Sequence, residues 1–253
     1  MVVNYNTRRL IAQLIYSLYR ILQPPMFRLV VVDNGSTDGS AELLSAAAAA
    51  GLCHLVANPT NRHHGPGLNQ GVSYLAEATR RDGAVPISYV WLLDSDCVVM
   101  RPDALSAPCG VMHATGAALL GQRGYDTADE EELLGLHSLL IDPAQVWQPT
   151  IQPFQDHGLP SEALQRSCAE AGLLAVDFPY TRDGYIIHIG RGSLRVIVET
   201  EDRANRHYEW ATTHHEPHFS LEADAPGAYA AFQEAFARDV PTLDAPGLIQ
   251  ACR

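Results

Sequence analysis

Phe27-Arg28-Leu29-Val30-Val31-Val32-Asp33-Asn34-Gly35-Ser36-Thr37-Asp38-Gly39-Ser40 decides the fold. Its continuous apolar run reads as a strand covered on both faces, and Asp33-Asn34-Gly35 ends it with turn-forming residues. Asp38-Gly39-Ser40 then introduces an alanine-rich helix over residues 41–50, with Gly51 as its C-cap. A second run, residues 87–93, delivers Asp94-Ser95-Asp96 to its end in the same way. Strand, acidic turn and helix, used twice, predict an α/β protein that binds its ligand at the carboxyl ends of its strands.

The flanking segments fit that plan. Val2-Val3 opens a strand leading to Asn4-Tyr5-Asn6, so close to Met1 that it suggests a trimmed or misplaced start. Leu10, Ile11, Leu14, Ile15, Leu18 and Leu22 mark one helical face, which Pro24-Pro25 stops. Residues 52–56 read as a short strand, and 58–71 as a Gly/Asn/His-rich connection into a helix carrying Val72, Leu75, Ala76 and Thr79. Beyond residue 102 the spacing predicts helices over 102–113 and 159–171, strands over 117–120, 136–141 and 175–178, and an amphipathic segment over 228–236. The expected fold class is α/β, with a mostly parallel central sheet and helices on both faces.

With 253 residues and 47% hydrophobic content, the chain reads as one domain with a sizeable core. The expected division is a ligand-binding half over 1–100, a second half over 101–200, and a variable segment over 201–253. A formal charge of −12, from 29 acidic and 17 basic residues, argues against a nucleic-acid partner. The five cysteines show no CxxC pair or dense framework, which fits reduced thiols in a cytosolic protein. No apolar stretch approaches the roughly 20 residues of a membrane span, and the N-terminus lacks a signal-peptide pattern. The expected location is the cytoplasm. A lipid-linked substrate would bring peripheral contact with the inner face of a membrane, and oligomeric state is left open.

Asp94 and Asp96 offer hard oxygen ligands suited to Mn2+ or Mg2+, and an ion between them could neutralise a leaving diphosphate. Asp33 can accept a base N–H while Gly35 permits close backbone approach; an Asx-turn and helix cap is the plainer account of the same residues. The stretch from Asn58 to Gly71 gathers glycine and cationic groups before a helix N-terminus that favours an anion, although it is neither a Walker A loop nor a dinucleotide fingerprint. The acidic run 129–132 reads as a solvated loop. In His214-His215-Glu216-Pro217-His218 the spacing does not match a zinc motif, which favours a surface or acceptor-side loop. Trp147, Trp210, Tyr180 and Tyr185 are candidates for stacking on an acceptor sugar, with ordinary packing as the plainer role.

Taken together, Val2-Val3-Asn4-Tyr5-Asn6, Val30 through Ser40, Asn61 through Gly71 and Leu92-Leu93-Asp94-Ser95-Asp96 resemble the GT-A glycosyltransferases of family 2. The resemblance is close over roughly the first 100 residues and looser to about Ser193. It implies the GT-A nucleotide-diphospho-sugar transferase fold, a UDP- or dTDP-linked sugar donor, a divalent metal, and transfer with inversion. By that match Asn4 and Asn6 line the nucleotide edge and Asp33 recognises the base. Asn61, Gly65, Gly67 and Asn69 lie along the donor loop, with Arg62 and His63 as phosphate contacts. Asp94 and Ser95 lie near the ribose or sugar, and Asp96 binds the metal. Ile186-Ile187-His188-Ile189-Gly190-Arg191-Gly192-Ser193 resembles the family's histidine followed by glycines and serine, which implies His188 at the metal and Arg191 at a phosphate.

Inversion needs a carboxylate to take the acceptor hydroxyl proton. Counting back from Gly172 places Ser161-Glu162-Ala163 where the family has its acidic signature, while Asp156 lies earlier, so Asp156 and Glu162 both stand as candidates. The acceptor could be a carbohydrate, a lipid-linked sugar, a protein or a small molecule. A noncatalytic nucleotide-sugar binding module fits the irregular acidic signature. A sugar nucleotidyltransferase would need a basic, glycine-rich first loop, which Asn4-Tyr5-Asn6 does not supply.

Overall fold

A computed structural model describes residues 1–22, 26–81, 87–123, 133–156, 159–190 and 225–253. Its organising element is β1 (Val2–Asn4), wholly buried and paired parallel on both sides, to β2 (Val30–Asp33) and β4 (Val90–Asp94). β3 (His54–Ala57) extends the sheet beyond β2, again parallel. On the other side of β4 come β7 (Leu134–Ile141), β6 (Leu119–Arg123) and β8 (Ala175–Asp177), giving the order β3-β2-β1-β4-β7-β6-β8. β7 runs antiparallel to both neighbours, and the remaining pairings are parallel. Strand order reverses between β1 and β4, so a crevice opens at the carboxyl ends of these strands.

The period-2 alternation of the strands distributes their side chains over two cores. Val2, Val31, Trp91 and Leu93 pack against Ile11, Leu14, Ile15 and Leu18 of α1 (Arg8–Ile21) and Leu44 of α2 (Ser40–Ala49). Met112 of α4 (Ser106–Thr115) closes the same core. Val3, Val32 and Leu92 face the opposite way, toward Leu68 of α3 (His64–Arg81), Val146 of α5 (Pro143–Val146) and Leu164 of α6 (Glu162–Glu170). None of the described helices is long and apolar enough to cross a membrane.

Two features depart from the sequence expectation. The Gly/Asn/His-rich connection becomes helical at His64, seven residues before Gly71, because Pro66 sits in the first turn, where its missing N–H costs nothing. The C-terminal helices α7 (Ala225–Asp239) and α8 (Ala245–Ala251) contribute Phe236 and Leu248 to the core shared with α1. Tyr16 Oη donates to Asp239 at 2.6 Å and Tyr229 Oη to Gln13 at 2.9 Å, fastening α7 to α1. The Pro24-Pro25 stop and the acidic run 129–132 lie outside the described residues.

After Asp96 the chain forms a separate two-stranded antiparallel ribbon, β5 (Cys97–Val99) with β9 (Ile186–His188). The Val99 N–H points to α1, where Ser17 Oγ accepts it at 3.0 Å while donating to the Leu14 carbonyl at 2.8 Å. Ser17→Ala should leave that buried N–H unsatisfied and cost about 1–3 kcal/mol, read as a lower urea midpoint at unchanged m value.

Candidate active site

Asn4, Asp33 and Asp94 end three adjacent parallel strands, with Asn4 opposite Asp33 and Val3 opposite Asp94. Asn4 Nδ2 donates to Asp33 Oδ1 at 2.8 Å and to Ser36 Oγ at 3.1 Å. Ser36 answers with its hydroxyl on Asp33 Oδ1 at 2.6 Å and its N–H on Oδ2 at 3.1 Å. Asn6, in the left-handed region at φ 51°, accepts the Thr37 N–H at 2.7 Å. The two asparagines thus hold the 33–37 turn. Gly35 is required there, since it has φ 72° and a Cβ would stand 2.9 Å from the Thr60 backbone.

The 58–71 segment is tied down at both ends. Asn58 and Gln70 exchange side-chain amide hydrogen bonds at 2.7 and 3.0 Å, and Asn34 donates to the His63 carbonyl at 2.9 Å. Asn61 Oδ1 accepts the His63 N–H at 2.8 Å, and Arg62 is exposed. Asn69 uses its amide as a strand would, giving and taking hydrogen bonds with the Phe154 backbone at 2.8 and 3.0 Å. Gly65 lets the next residue approach, because a Cβ there would stand 1.9 Å from the Gln155 carbonyl oxygen; one at Gly67 would press on Val3 at 3.0 Å.

This apposition delivers Asp156 to the donor loop. His63, at φ 65°, brings Nδ1 to 2.9 Å from Asp156 Oδ1. Glu162 instead opens α6, where its carboxylate accepts from Arg166 Nε at 2.8 Å one turn on. The two candidate bases therefore have different surroundings: Asp156 faces the donor loop and Glu162 has a cation on its own helix.

Asp94, Asp96 and His188 bring one ligand atom each to within 4.8 Å of one another. His188 Nε2 lies 3.2 Å from Asp96 Oδ1 and 3.5 Å from Asp94 Oδ2. The ribbon makes this possible: Cys97 pairs with His188, and the Ile189 N–H donates to the Asp96 carbonyl at 3.1 Å. Ser95 turns away, its Oγ lying 3.0 Å from Thr7 Oγ1, which donates to Asn4 Oδ1 at 2.6 Å. Burial works against a charged His188, yet the carboxylates of Asp96 and Asp94 outweigh it and hold its pKa well above the ordinary imidazole value. Two carboxylates and one imidazole are a donor set that can hold a divalent cation.

Several residues enter that the sequence did not single out. His64 Nε2 stands 3.7 Å from Asp94 Oδ1, from the first position of α3. Thr7 links Asn4 to Ser95. His137, on β7, stacks against His188 with ring centroids 4.9 Å apart and planes 15° from parallel. A histidine inside the apolar run Leu134–Ile141 was the available signal for it. Among the candidate aromatics, Tyr180 is a core residue stacked on Trp91 at 5.7 Å, so it cannot stack on an acceptor. Tyr185 carries Arg101 on its face at 4.0 Å, and Trp147 packs partly buried against the core under α5. Arg191, Trp210 and the 214–218 histidines lie outside the described residues.

A mostly parallel sheet whose adjacent central strands end in Asn4, Asp33 and Asp94, followed by a site able to hold a cation, has the architecture of the GT-A class of nucleotide-sugar transferase. The chain belongs to the glycosyl transferase family 2, whose model matches residues 1–172. Membership makes it a transferase that draws its sugar from a nucleotide-sugar donor and passes it to an acceptor. No curated protein sequence matches the chain significantly.

Similar solved structures include a mannosyltransferase, PcManGT, from Pyrobaculum calidifontis in complex with GDP-Man and Mn2+. It shares 17% identity at a TM-score of 0.57, over 99% of this chain and 72% of that one. S. aureus TarS 1-349 in complex with UDP-GlcNAc shares 16% identity at a TM-score of 0.51, over 66% of this chain and 51% of that one. The glucosyl-3-phosphoglycerate synthase of Mycobacterium tuberculosis, in complex with Mn2+, UDP and glucosyl-3-phosphoglycerate, shares 17% identity at a TM-score of 0.50, over 70% of this chain and 67% of that one. The chain thus spans about half of that TarS complex, about two thirds of the synthase and 72% of PcManGT, and at these identities the likeness is one of fold.

The raised His188 pKa sets a pH dependence. A folded-state pKa above the ordinary 6.5 contributes stability that is fully present below pH 6.5 and lost as pH rises through the folded value. In EDTA, His188 should therefore add a falling component to the melting temperature as pH climbs from 6.5, opposed up to pH 8 by the buried Met1 ammonium, and His188→Asn should remove that component. An equal slope in the variant would remove His188 as its source.

Proposed function

We propose that this chain is a metal-dependent inverting glycosyltransferase, moving a sugar from a UDP- or dTDP-linked donor to an acceptor hydroxyl in polysaccharide or glycoconjugate synthesis. The observation that carries the reading is the Asp94, Asp96 and His188 cluster, set at the strand-order switch beside the loop that bears Asp156. Residues 1–253 act in this reading as a single GT-A domain, with the donor bound by residues 1–100 and the acceptor served by 101–200.

Asp33 accepts a base N–H through Oδ2, which has lone-pair capacity beyond its bond to Ser36. Asn4 and Asn6 hold the turn that carries it. Asn61, Gly65, Gly67 and Asn69 shape the donor loop, and Arg62, His63 and Arg191 are the phosphate contacts. Asp96, Asp94 and His188 hold Mn2+ or Mg2+, and Ser95 keeps the Asp94 turn in place through Thr7. The bound cation supplies positive charge to the departing diphosphate.

Asp156 is the general base, and Glu162 is the alternative. The acceptor oxygen attacks the anomeric carbon, the bond from that carbon to the diphosphate oxygen breaks, and the carboxylate takes the hydroxyl proton. The contact between Asp156 and the donor loop supports this choice over Glu162, which is engaged by Arg166. The acceptor is a carbohydrate, a lipid-linked sugar or a protein. The reading places the work in the cytoplasm, and a lipid-linked acceptor brings it to the inner face of a membrane.

Calorimetry with a panel of UDP-, dTDP- and GDP-sugars, each with Mn2+ or Mg2+, tests the donor half. Binding should require the metal and be lost in Asp96→Ala. Asp156→Asn should bind the best donor as tightly as wild type while its transfer rate, including slow transfer to water, falls by about 10²–10⁴-fold. A folded protein that binds none of the panel would sink the reading; full activity in Asp156→Asn would move the base to Glu162.

A further inference from the structure

We propose that His137 is a positioning residue for the metal ligand His188, its stacked ring fixing the plane in which His188 presents Nε2 to Asp96 and Asp94. The proposal rests on the reading of Asp94, Asp96 and His188 as a cation site.

β7 brings His137 to this point. Its antiparallel pairing with β4 sets Leu93 opposite Ser138, and the next step along each strand leads to Asp94 and His137. His137 is 2% exposed, and its ring lies parallel to that of His188, to within 15°, at 4.9 Å. The backbone beneath it is fastened as well, because Cys97 Sγ donates to the His137 carbonyl at 3.2 Å while Cys97 is the β5 partner of His188. The sheet and the ribbon thus meet at Cys97, and the two imidazoles stack across that junction.

A ligating imidazole has a broad terminal torsion, so its plane is set by what packs against it. Its Nε2 lies 3.2 and 3.5 Å from the carboxylates it serves. The flat ring of His137, stacked on one face of His188, holds Nε2 aimed at them before the ion arrives. Any apolar side chain of the right size could fill the space at residue 137; only a flat one would hold that plane.

Mn2+ alone, titrated into the full chain and followed by the electron paramagnetic resonance of the free ion, tests this against four variants. His137→Leu should weaken Mn2+ binding about tenfold, whereas His137→Phe, which keeps a flat ring, should stay within about threefold of wild type. Circular dichroism and thermal melting establish that each variant is folded. Equal affinities in folded His137→Leu and wild type, or equal losses in the Leu and Phe variants, overturn the proposal. If neither residue 137 variant folds, the orientation is read instead from the rotamer of His188 in Cys97→Ala, which frees the His137 backbone; an unchanged Mn2+ affinity there also overturns it. Wild-type affinity in His188→Ala would instead bring down the cation-site reading itself, so the two failures are distinguishable.

Discussion

Two carboxylates meet at the end of β4, and Asp96 is buried to 4% exposure beside its neighbour Asp94. Like charges this close disfavour each other's ionised forms unless a positive charge stands between them, and burial sharpens the demand. Much of the surrounding architecture answers that demand. The ribbon crosses to place His188 against both carboxylates, and the main chain of Asp96 itself accepts the Ile189 N–H that anchors the crossing. One residue therefore offers a carboxylate to the site and holds the strand that compensates it. Behind the ribbon, Val98, Ile187 and Ile189 pack with Tyr229 of α7, whose hydroxyl reaches Gln13 on α1. The C-terminal helix thereby buttresses the charged cluster from a distance of over 130 residues in sequence from Asp96.

The 58–71 segment solves a different problem, that of holding polar backbone in place without a regular sheet. Side-chain amides do the work: Asn34, Asn58, Gln70 and Asn69 replace the missing ladder with bonds of 2.7–3.0 Å. Glycine enters where two backbones come too close for a Cβ, at Gly35 against Thr60 and at Gly65 against Gln155. Two of the three described non-glycine residues with positive φ, Asn6 and His63, belong to these turns. Each such conformation costs on the order of 1 kcal/mol, and it persists because the surrounding bonds over-determine it. A loop built this way is organised before its ligand arrives, which lowers the cost of ordering on binding.

The sequence made the donor half legible because its signals are local. The period change from strand to turn to helix marked β2, α2 and β4, and the acidic residues closing those strands fell where an α/β sheet binds ligands. The resemblance carried by the Asn61–Gly71 stretch and by Asp94-Ser95-Asp96 gave the class. What could not be read depended on long-range pairing. No local pattern sets Cys97 opposite His188, or His137 onto the ring of His188, since each contact joins segments 40 or more residues apart and is fixed by register. The helical start at His64 was hidden for another reason: a segment rich in Gly, Pro and His has weak helix propensity, and packing on Val3 and Gln155 overrides it.

The acceptor half is the harder case, and the reason is physical. Its candidate base is carried by a stretch, 152–156, with no strand or helix of its own. That stretch takes its place from α3 and the donor loop, through Asn69 on Phe154, Gly65 under Gln155 and His63 on Asp156. A carboxylate placed this way takes its position from the 58–71 segment. In the proposed reading, this ties the group that receives the acceptor proton to the segment that shapes the donor site, so that base and donor are positioned together. Glu162 lacks such a tie: it stands on α6, whose placement follows the core through Leu164 and Cys168, and Arg166 holds its carboxylate along the helix. In that reading a base carried by α6 is positioned by the core, whereas Asp156 is positioned by its contacts with the 58–71 segment.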